Sequence, residues 1–508
     1  MNKEIAFIIL PPSIWPVLDY VFEIGLDFCE RNPNVELYIV SVDRTLRFNP
    51  SRSKFDLVSY LEAEYKKSKL KRFFSSKSSK YFELKKLLKS NFTLNKDIQD
   101  KAMGCAINTV QAHFKDTTID AFGSKKNYID EAFLDFIDGY KFILNFLKSK
   151  NNIKSIFIYN GRMSIYRGIL ESCLDNNIDF SCYEYPFQGK KRYLLTKNRP
   201  IHDFSYRSKR LMDVALNHPL KLDKKISLGN KWLERRNKSR MGFELNFASQ
   251  QTNNQIPHEL LYLKKSGKKF ILLLNSSEWE WSGFEQSRTN IFGSQKIAIE
   301  WLLDDFLKKN EDYFLIFRFH PQFSFRDTKY KEILNNMVED KNSGNVFVIQ
   351  PNSKMNTQTL ISFTDIVLTF YSSTAPEASY QGKKVISIGP SSFQDFECCQ
   401  MAYSKKGLEK MLLEESSLSQ KIINKRKNMA ALFFFARSFQ GYKSKNLRYD
   451  KYDNPFIIFR KKKIYIYSPL VINFSFKFFR ALLIVFKNPK KFSLKKLRKM
   501  FYLNSFNF

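Results

Sequence analysis

Residues 365–389 read DIVLTFYSSTAPEASYQGKKVISIG. An apolar, β-branched run over 365–370 breaks at Ser372, Ser373 and Thr374, a helix opens from Ala375 with Pro376 and Glu377 in its first turn, and a second apolar run follows over 383–389. Strand, crossover helix and strand in this order predict a parallel pair. Upstream, FLIFRFHP (314–321) is another apolar strand, ending on Arg318, His320 and Pro321. In an open α/β sheet ligands bind outside the carboxyl ends of the strands, so polar groups at two strand ends about fifty residues apart can converge on one anion. The spacing predicts a nucleotide-handling site.

The same rhythm extends outward. KKFILLLNSS (268–277), a helix over 295–308, FLIFRFHP, a helix over 328–337, NVFVIQP (345–351) and a helix over 356–363 lead into the 365–389 unit. Continuous apolar strands alternating with helices imply a parallel sheet covered on both faces. Near the start, IAFIIL (5–10) and ELYIVSV (36–42) flank a helix over 16–31, and SIFIYN (155–160), a helix over 164–176 and FSCYEY (180–185) resume the pattern. The intervening span 43–150 loses it and is expected to be a mainly helical insertion. NFASQQTNNQIP (246–257) is polar and patternless. The expected organisation is therefore a first Rossmann-like domain over 1–245, a linker over 246–266, a second such domain over 267–445 and a tail over 446–508.

Composition narrows the partners. Hydrophobic residues at 43% and charged residues at 26% are globular values, and 508 residues suffice for two or three domains with their own cores. A formal charge of +34 calls for an anionic partner: nucleic acid, anionic lipid or a polyanionic glycan. No zinc-finger, helix-turn-helix or RNA-binding signature stands out, which argues against sequence-specific nucleic-acid binding. The six cysteines lack paired spacing and read as reduced and cytoplasmic, and the first apolar run is too short for a signal peptide. Residues 461–508 hold twelve Lys or Arg and no Asp or Glu, with Asn473, Lys477, Arg480 and Lys487 on one side of a helical wheel. That pattern fits a helix lying on an anionic membrane surface, or a C-terminal helix docked on the body.

Each candidate residue has a plain reading beside the functional one. His320 either donates to a leaving phosphate or is a loop histidine satisfied by backbone, and Arg318 beside it favours the first. Ser372, Ser373 and Thr374 hold an anion at a helix start or simply cap the helix. Glu377 serves a ribose hydroxyl or the helix dipole. Ser276 and Ser277 end a strand before the loop SEWEWSGFEQ, which holds Glu278 and Glu280 and either closes over a substrate or makes an inter-domain contact. In the first domain Asn160, Gly161 and Arg162 join a strand to a helix, and Glu184 ends the next strand.

These residues carry a resemblance. HP at one strand end, Ser-Ser-Thr with Glu at another, and GKKVISIG after it look like the donor domain of GT-B bacterial glycosyltransferases of capsule and lipopolysaccharide biosynthesis. YNGR (159–162) and NSSEWEW (275–281) are similar to segments of capsule-biosynthesis proteins. The resemblance covers 268–390 well and 155–190 loosely. It implies two Rossmann-like domains, His320, Ser372 and Ser373 on the donor phosphate, Glu377 near the ribose, and a CMP- or CDP-linked donor slightly favoured. The paired-acid base motif of sialyltransferases is not evident, which leaves the base open between Glu184 and, in reserve, Asp19.

The expectation is a metal-independent glycosyltransferase without a bound cofactor, moving a sugar from a nucleotide donor to a cell-surface glycan or lipid-linked acceptor, peripheral on the inner face of the membrane. Asn160 and Arg162 are expected on the acceptor side. The alternatives are a polyol-phosphate transferase or nucleotide-sugar epimerase on the same scaffold, and a non-catalytic polysaccharide-assembly protein.

Overall fold

Apolar runs flanked by polar breaks become strands buried on both faces. A computed structural model describes residues 4–11, 15–42, 46–48, 67–74, 79–84, 94–148, 152–185, 192–237, 251–280, 291–325, 327–340, 344–415, 417–449, 455–459 and 462–466. Two large sheets result. The first combines β1 (Glu4–Ile9), β2 (Glu36–Ser41), β3 (Ser79–Glu83), β4 (Asn152–Tyr159), β5 (Phe180–Glu184), β6 (Arg192–Lys197) and β13 (Tyr442–Lys443) in the order β13-β6-β5-β4-β1-β2-β3. Strands β1 to β5 run parallel, β6 is antiparallel to β5 and β13 antiparallel to β6.

The second sheet is wholly parallel. It combines β7 (Lys269–Leu274), β8 (Tyr313–Arg318), β9 (Val346–Ile349), β10 (Ile366–Phe370), β11 (Lys384–Ile388) and β12 (Gln400–Ala402) in the order β12-β11-β10-β7-β8-β9. Counted within each sheet, both follow the doubly wound order 3-2-1-4-5-6, whose ligand crevice opens where the order reverses. Those points fall between β1 and β4 and between β7 and β10. The chain is an α/β protein of two Rossmann-like units, the GT-B architecture.

The insertion supplies two long helices, α2 (Lys96–Phe114) and α3 (Lys126–Lys148), and also the edge strand β3. SKYFE is too short and too polar to announce a strand. It needs only one neighbour, and Lys80 pairs with Glu36 of β2 at 2.9 Å. Helix α3 lies against α4 (Ser164–Asp175) at a very close crossing. A Cβ on Gly139 would stand 2.1 Å from the Ile165 carbonyl oxygen, and one on Gly168 would stand 2.1 Å from that of Phe136.

Packing changes hands earlier than the expected boundary at 245. Ile201 belongs to the first core, whereas Phe204, Leu211, Trp232 and Leu233 belong to the cores of the second unit. The helices α5 (Phe204–Asn217) and α6 (Leu222–Asn237) therefore cover the second sheet together with α13 (Gln420–Phe439). Their Lys-rich sequences show which residues face inward but not which sheet they cover.

The C-terminal segment returns to the first unit. After α13 the chain passes through Gln440 into β13, held by the Arg192 guanidinium, which donates to the carbonyls of Phe439 (2.5 Å), Gln440 (2.9 Å) and Gly441 (2.7 Å). The strands β14 (Leu447–Tyr449), β15 (Pro455–Phe459) and β16 (Lys462–Tyr465) form a small antiparallel sheet, with Leu447, Ile457 and Ile466 in the first core. Buried Glu23 of α1 (Trp15–Arg31) fastens this segment by accepting the backbone N–H groups of Lys445, Asn446 (2.9 Å) and Leu447 (2.8 Å). The expected amphipathic tail from 446 is thus corrected: its first part is a docked β-sheet, since FIIF and KIYI pair with each other rather than forming a helical stripe. The proposed membrane helix beyond 466 lies outside the described residues. Among the described residues no helix is long and apolar enough to cross a membrane.

Candidate functional site

The second crevice is built at the ends of β7, β8 and β10. Ser276 donates its hydroxyl to the Phe370 carbonyl and its N–H to Gln295 Oε1 (2.9 Å), so it staples β7 to β10 at the point where the strand order reverses. Ser277 is buried, and its carbonyl accepts from the Glu280 N–H at 2.9 Å. Asn275, which drew no attention in the sequence beside its two serines, fixes the next strand end: its Oδ1 accepts the His320 N–H at 2.5 Å. Its Nδ2 is buried without a hydrogen-bond partner.

His320 is set as a neutral donor. Its Nδ1 accepts from the Gln322 N–H at 3.2 Å, which places the ring proton on Nε2. Burial, with Lys115 and Arg318 adding positive charge nearby, lowers its pKa to about 4. The ring thus has an N–H to donate but carries no charge at neutral pH.

Arg318 supplies the charge. It is the last residue of β8, 3% exposed, with Nη1 buried and unpartnered, and no described carboxylate pairs with it. Burial lowers its pKa to about 10, which leaves it a cation at neutral pH. Register puts Arg318 beside Leu274, Leu274 beside Thr369 and Thr369 beside Ser387, all on one face of the sheet. Thr369 Oγ1 and Ser387 Oγ are also buried without partners. At the usual strand spacing this row, in which Leu274 separates Arg318 from the two hydroxyls, extends about 14 Å across the carboxyl end of the sheet. Sequence reading missed Thr369 and Ser387 because each sits inside an apolar run, where a lone hydroxyl looks like packing.

The polar turn after β10 is bonded within itself. Tyr371 is left-handed at φ 43°, and Ser372 Oγ lies 3.1 Å from Thr374 Oγ1 and accepts from the Thr374 N–H at 3.3 Å. Ser373 precedes α11 (Thr374–Tyr380) without capping it by its side chain. All three side chains remain partly exposed at the crevice. Glu377 is buried and accepts from Gln358 Nε2 at 3.0 Å, an engagement with α10 (Thr357–Phe363) that pattern reading did not foresee.

Across the cleft, β4 ends in a turn that only particular residues can make. Asn160 and Gly161 both have positive φ (58° and 74°), and a Cβ on Gly161 would come 2.8 Å from Cys182 Sγ. Asn160 Nδ2 donates to Glu184 Oε2, and the Tyr185 N–H donates to Glu184 Oε1 at 2.9 Å. Burial raises the Glu184 pKa to about 6, while those two donors and the charges of Arg162 and Arg207 restrain the rise. Arg162 reaches over and donates to the Trp279 carbonyl in the loop after β7, so the first unit is bonded to the second beside the second crevice. Burial lowers the pKa of Arg162, and that of the neighbouring His202 is lowered well below 6.5. Asp19, the reserve base, is buried on α1 and accepts from Tyr449 Oη at 3.3 Å.

The arrangement thus sets a buried arginine with an unpartnered Nη1 and two buried, unpartnered hydroxyls near the strand ends of one unit, and a carboxylate with its pKa raised to about 6 at the end of β5 in the other. No protein-family model and no curated protein matches the chain. Among solved structures it is similar to the KpsC β-Kdo 2,4-transferase of Thermosulfurimonas dismutans, at 14% identity over 64% of this chain and 87% of that one, with a TM-score of 0.34. It is similar to the UDP-GlcNAc 2-epimerase of Methanocaldococcus jannaschii at 12% identity over 84% and 97%, TM-score 0.28. The N-terminal domain of the Candida albicans trehalose-6-phosphate phosphatase gives 11% identity over 86% and 96%, TM-score 0.30. Superpositions this loose say nothing of the chemistry, which is read from this chain's own residues.

Proposed function

We propose that the protein is a glycosyltransferase that moves a sugar from a nucleotide-activated donor to a hydroxyl of a cell-surface glycan, without a metal ion. The observation that carries this is Arg318, a buried cation with no carboxylate partner among the described residues, beside a histidine held as a neutral N–H donor. When the bond from the anomeric carbon to the donor phosphate oxygen breaks, the electron pair stays on that oxygen. Arg318 and His320 Nε2–H stabilise the charge as it develops, and the hydroxyls of Ser372 and Thr374 complete the cradle. The acceptor hydroxyl attacks from the first unit and loses its proton to Glu184, while Arg162 and Asn160 hold that side. Glu377 takes the ribose. A CMP- or CDP-linked donor is the first choice, and the basic 461–508 segment keeps the enzyme at an anionic inner membrane face.

The test is a panel of CMP-, CDP-, UDP- and GDP-linked donors in EDTA with lipid-linked oligosaccharide acceptors. One donor is expected to be consumed only when acceptor is present, and His320→Ala lowers that turnover about 10²-fold with an unchanged melting temperature. Consumption without acceptor points to an epimerase. Strict divalent-cation dependence, or full turnover in His320→Ala, overturns the mechanism. Truncation after Ile466 leaves β16 in place and is expected to release the protein from vesicles rich in anionic lipid; unchanged cosedimentation removes the membrane role.

A further inference from the structure

The loop after β7 braces His320 from two sides. Asn275, the first residue of that loop, accepts the His320 N–H, and the short helical turn Glu278–Glu280 follows. Glu278 holds this turn in place: its Oε1 accepts the Gln295 N–H at 3.0 Å, and its Oε2 accepts the hydroxyl of Tyr330 in α9 (Lys329–Asp340) at 2.5 Å. Trp279, 2% exposed, sets its ring edge-on to that of Phe323 with centroids 4.8 Å apart. Glu280 Oε1 accepts from Gln322 Nε2 at 3.0 Å. A carboxylate can only accept, so this bond fixes the Gln322 amide with its nitrogen toward Glu280.

Gln322 and Phe323 belong to the five-residue 3-10 turn Pro321–Phe325 that follows His320. Hydrogen bonds in such turns have poorer geometry than those of an α-helix, so docking on the 278–280 turn decides where Gln322 sits. The backbone N–H of Gln322 is the group that donates to His320 Nδ1, at 3.2 Å, the long end of the range for such a bond. A small retreat of Gln322 loses it. Without that donor a neutral imidazole can carry its proton on either nitrogen, and with the proton on Nδ1 the Nε2 atom is an acceptor that repels a phosphate oxygen.

We propose that Glu280 is a positioning residue of the donor site: through the Gln322 side chain it holds in place the backbone N–H that keeps the His320 proton on Nε2. The acidic loop then acts on the reaction without touching the nucleotide. A carboxylate two hydrogen bonds from an anion-binding histidine opposes phosphate by its charge, and its bond to Gln322 is what offsets that cost. This inference rests on the reading of His320 as the N–H donor to the leaving phosphate.

The test pairs histidine spectra of the full-length protein with kinetics. The chain holds five histidines, so long-range proton–nitrogen correlation on protein labelled with nitrogen-15 histidine reads each tautomer, with His320 assigned by its loss in His320→Gln. Wild type is expected to carry the His320 proton on Nε2 alone. Glu280→Ala, and independently Gln322→Leu, which keeps the backbone N–H, are expected to show a mixture of tautomers. Glu280→Gln, whose amide oxygen can still accept from Gln322, keeps the wild-type pattern. With the donor that is consumed, kcat is expected to fall about 10-fold in Glu280→Ala with KM for the donor little changed, and to recover in Glu280→Gln. In a His320→Ala background the same substitution is expected to cost nothing further, because it acts through the missing ring. An unchanged tautomer in Glu280→Ala, an equal loss of kcat without His320, or a loss that Glu280→Gln does not recover overturns the proposal. Turnover of none of the donors, with the tautomer shift present, overturns the donor reading and leaves the hold of Glu280 on His320 standing.

Discussion

Replacing Glu184 by Gln is expected to lower kcat by about 10²- to 10⁴-fold, the range for removing a general base. The substitution is close to isosteric, and the amide oxygen can still accept from the Asn160 side chain or the Tyr185 N–H, so the turn at 160–162 keeps its shape. The pH profile separates this role from a merely positional one. With a pKa of about 6, Glu184 is mostly ionised at pH 7.5 and becomes protonated as the pH falls, so kcat/KM drops through an acid limb centred near 6. His320, at about 4, stays neutral across that range and cannot produce the limb. A His320→Gln variant is therefore expected to turn over slowly with its acid limb unmoved. Stopped assays between pH 5 and 8 decide the matter: full activity in Glu184→Gln, or a limb that shifts with His320, removes Glu184 from the chemistry.

The second large effect is structural. Gly168→Val is expected to destabilise the first unit by about 1–3 kcal/mol or more, because its Cβ meets a backbone carbonyl that cannot swing aside as a side chain would. The same holds for Gly139, whose Cβ faces the carbonyl of Ile165. For a unit of this size each kcal/mol lowers the melting temperature by about 2–4 °C. The two glycines share one helix crossing, so their effects should not add: once the helices have separated for one new side chain, the second enters at less cost. Thermal melts of the single and double variants measure this, and additive losses would show that the helices do not yield together. Because α4 begins two residues after Arg162, separation at this crossing is also expected to raise KM for the acceptor.

What could be read in advance follows from how the physics is written along the chain. The strands of both central sheets announce themselves because runs such as FILLL, FLIF and IVLTF have no other place to go than between two layers of helix. His320, Arg318 and Ser372 stand out because polar residues abruptly end such runs. Asn275 was hidden by its neighbours, and Thr369 and Ser387 by their position within strands, since their importance lies in register with Arg318 and register is a property of pairing. The boundary near 201–204 was equally silent, because an amphipathic helix does not say which sheet it will cover.

The chain passes between its two units at Ile201–Phe204 and again at Gln440–Gly441, and both passages border one small cavity of about 50 Å³, together with Arg207 and Val214. Two adjacent tethers behave as the pins of a door hinge: they forbid sliding and leave swinging as the soft motion. Away from these tethers the units are joined again where Arg162 donates to the Trp279 carbonyl and where Asp116 Oδ2 accepts the Lys329 N–H at 3.1 Å. Swinging about those pins has to break at least these polar contacts among the described residues, while each sheet keeps its own strand pairing.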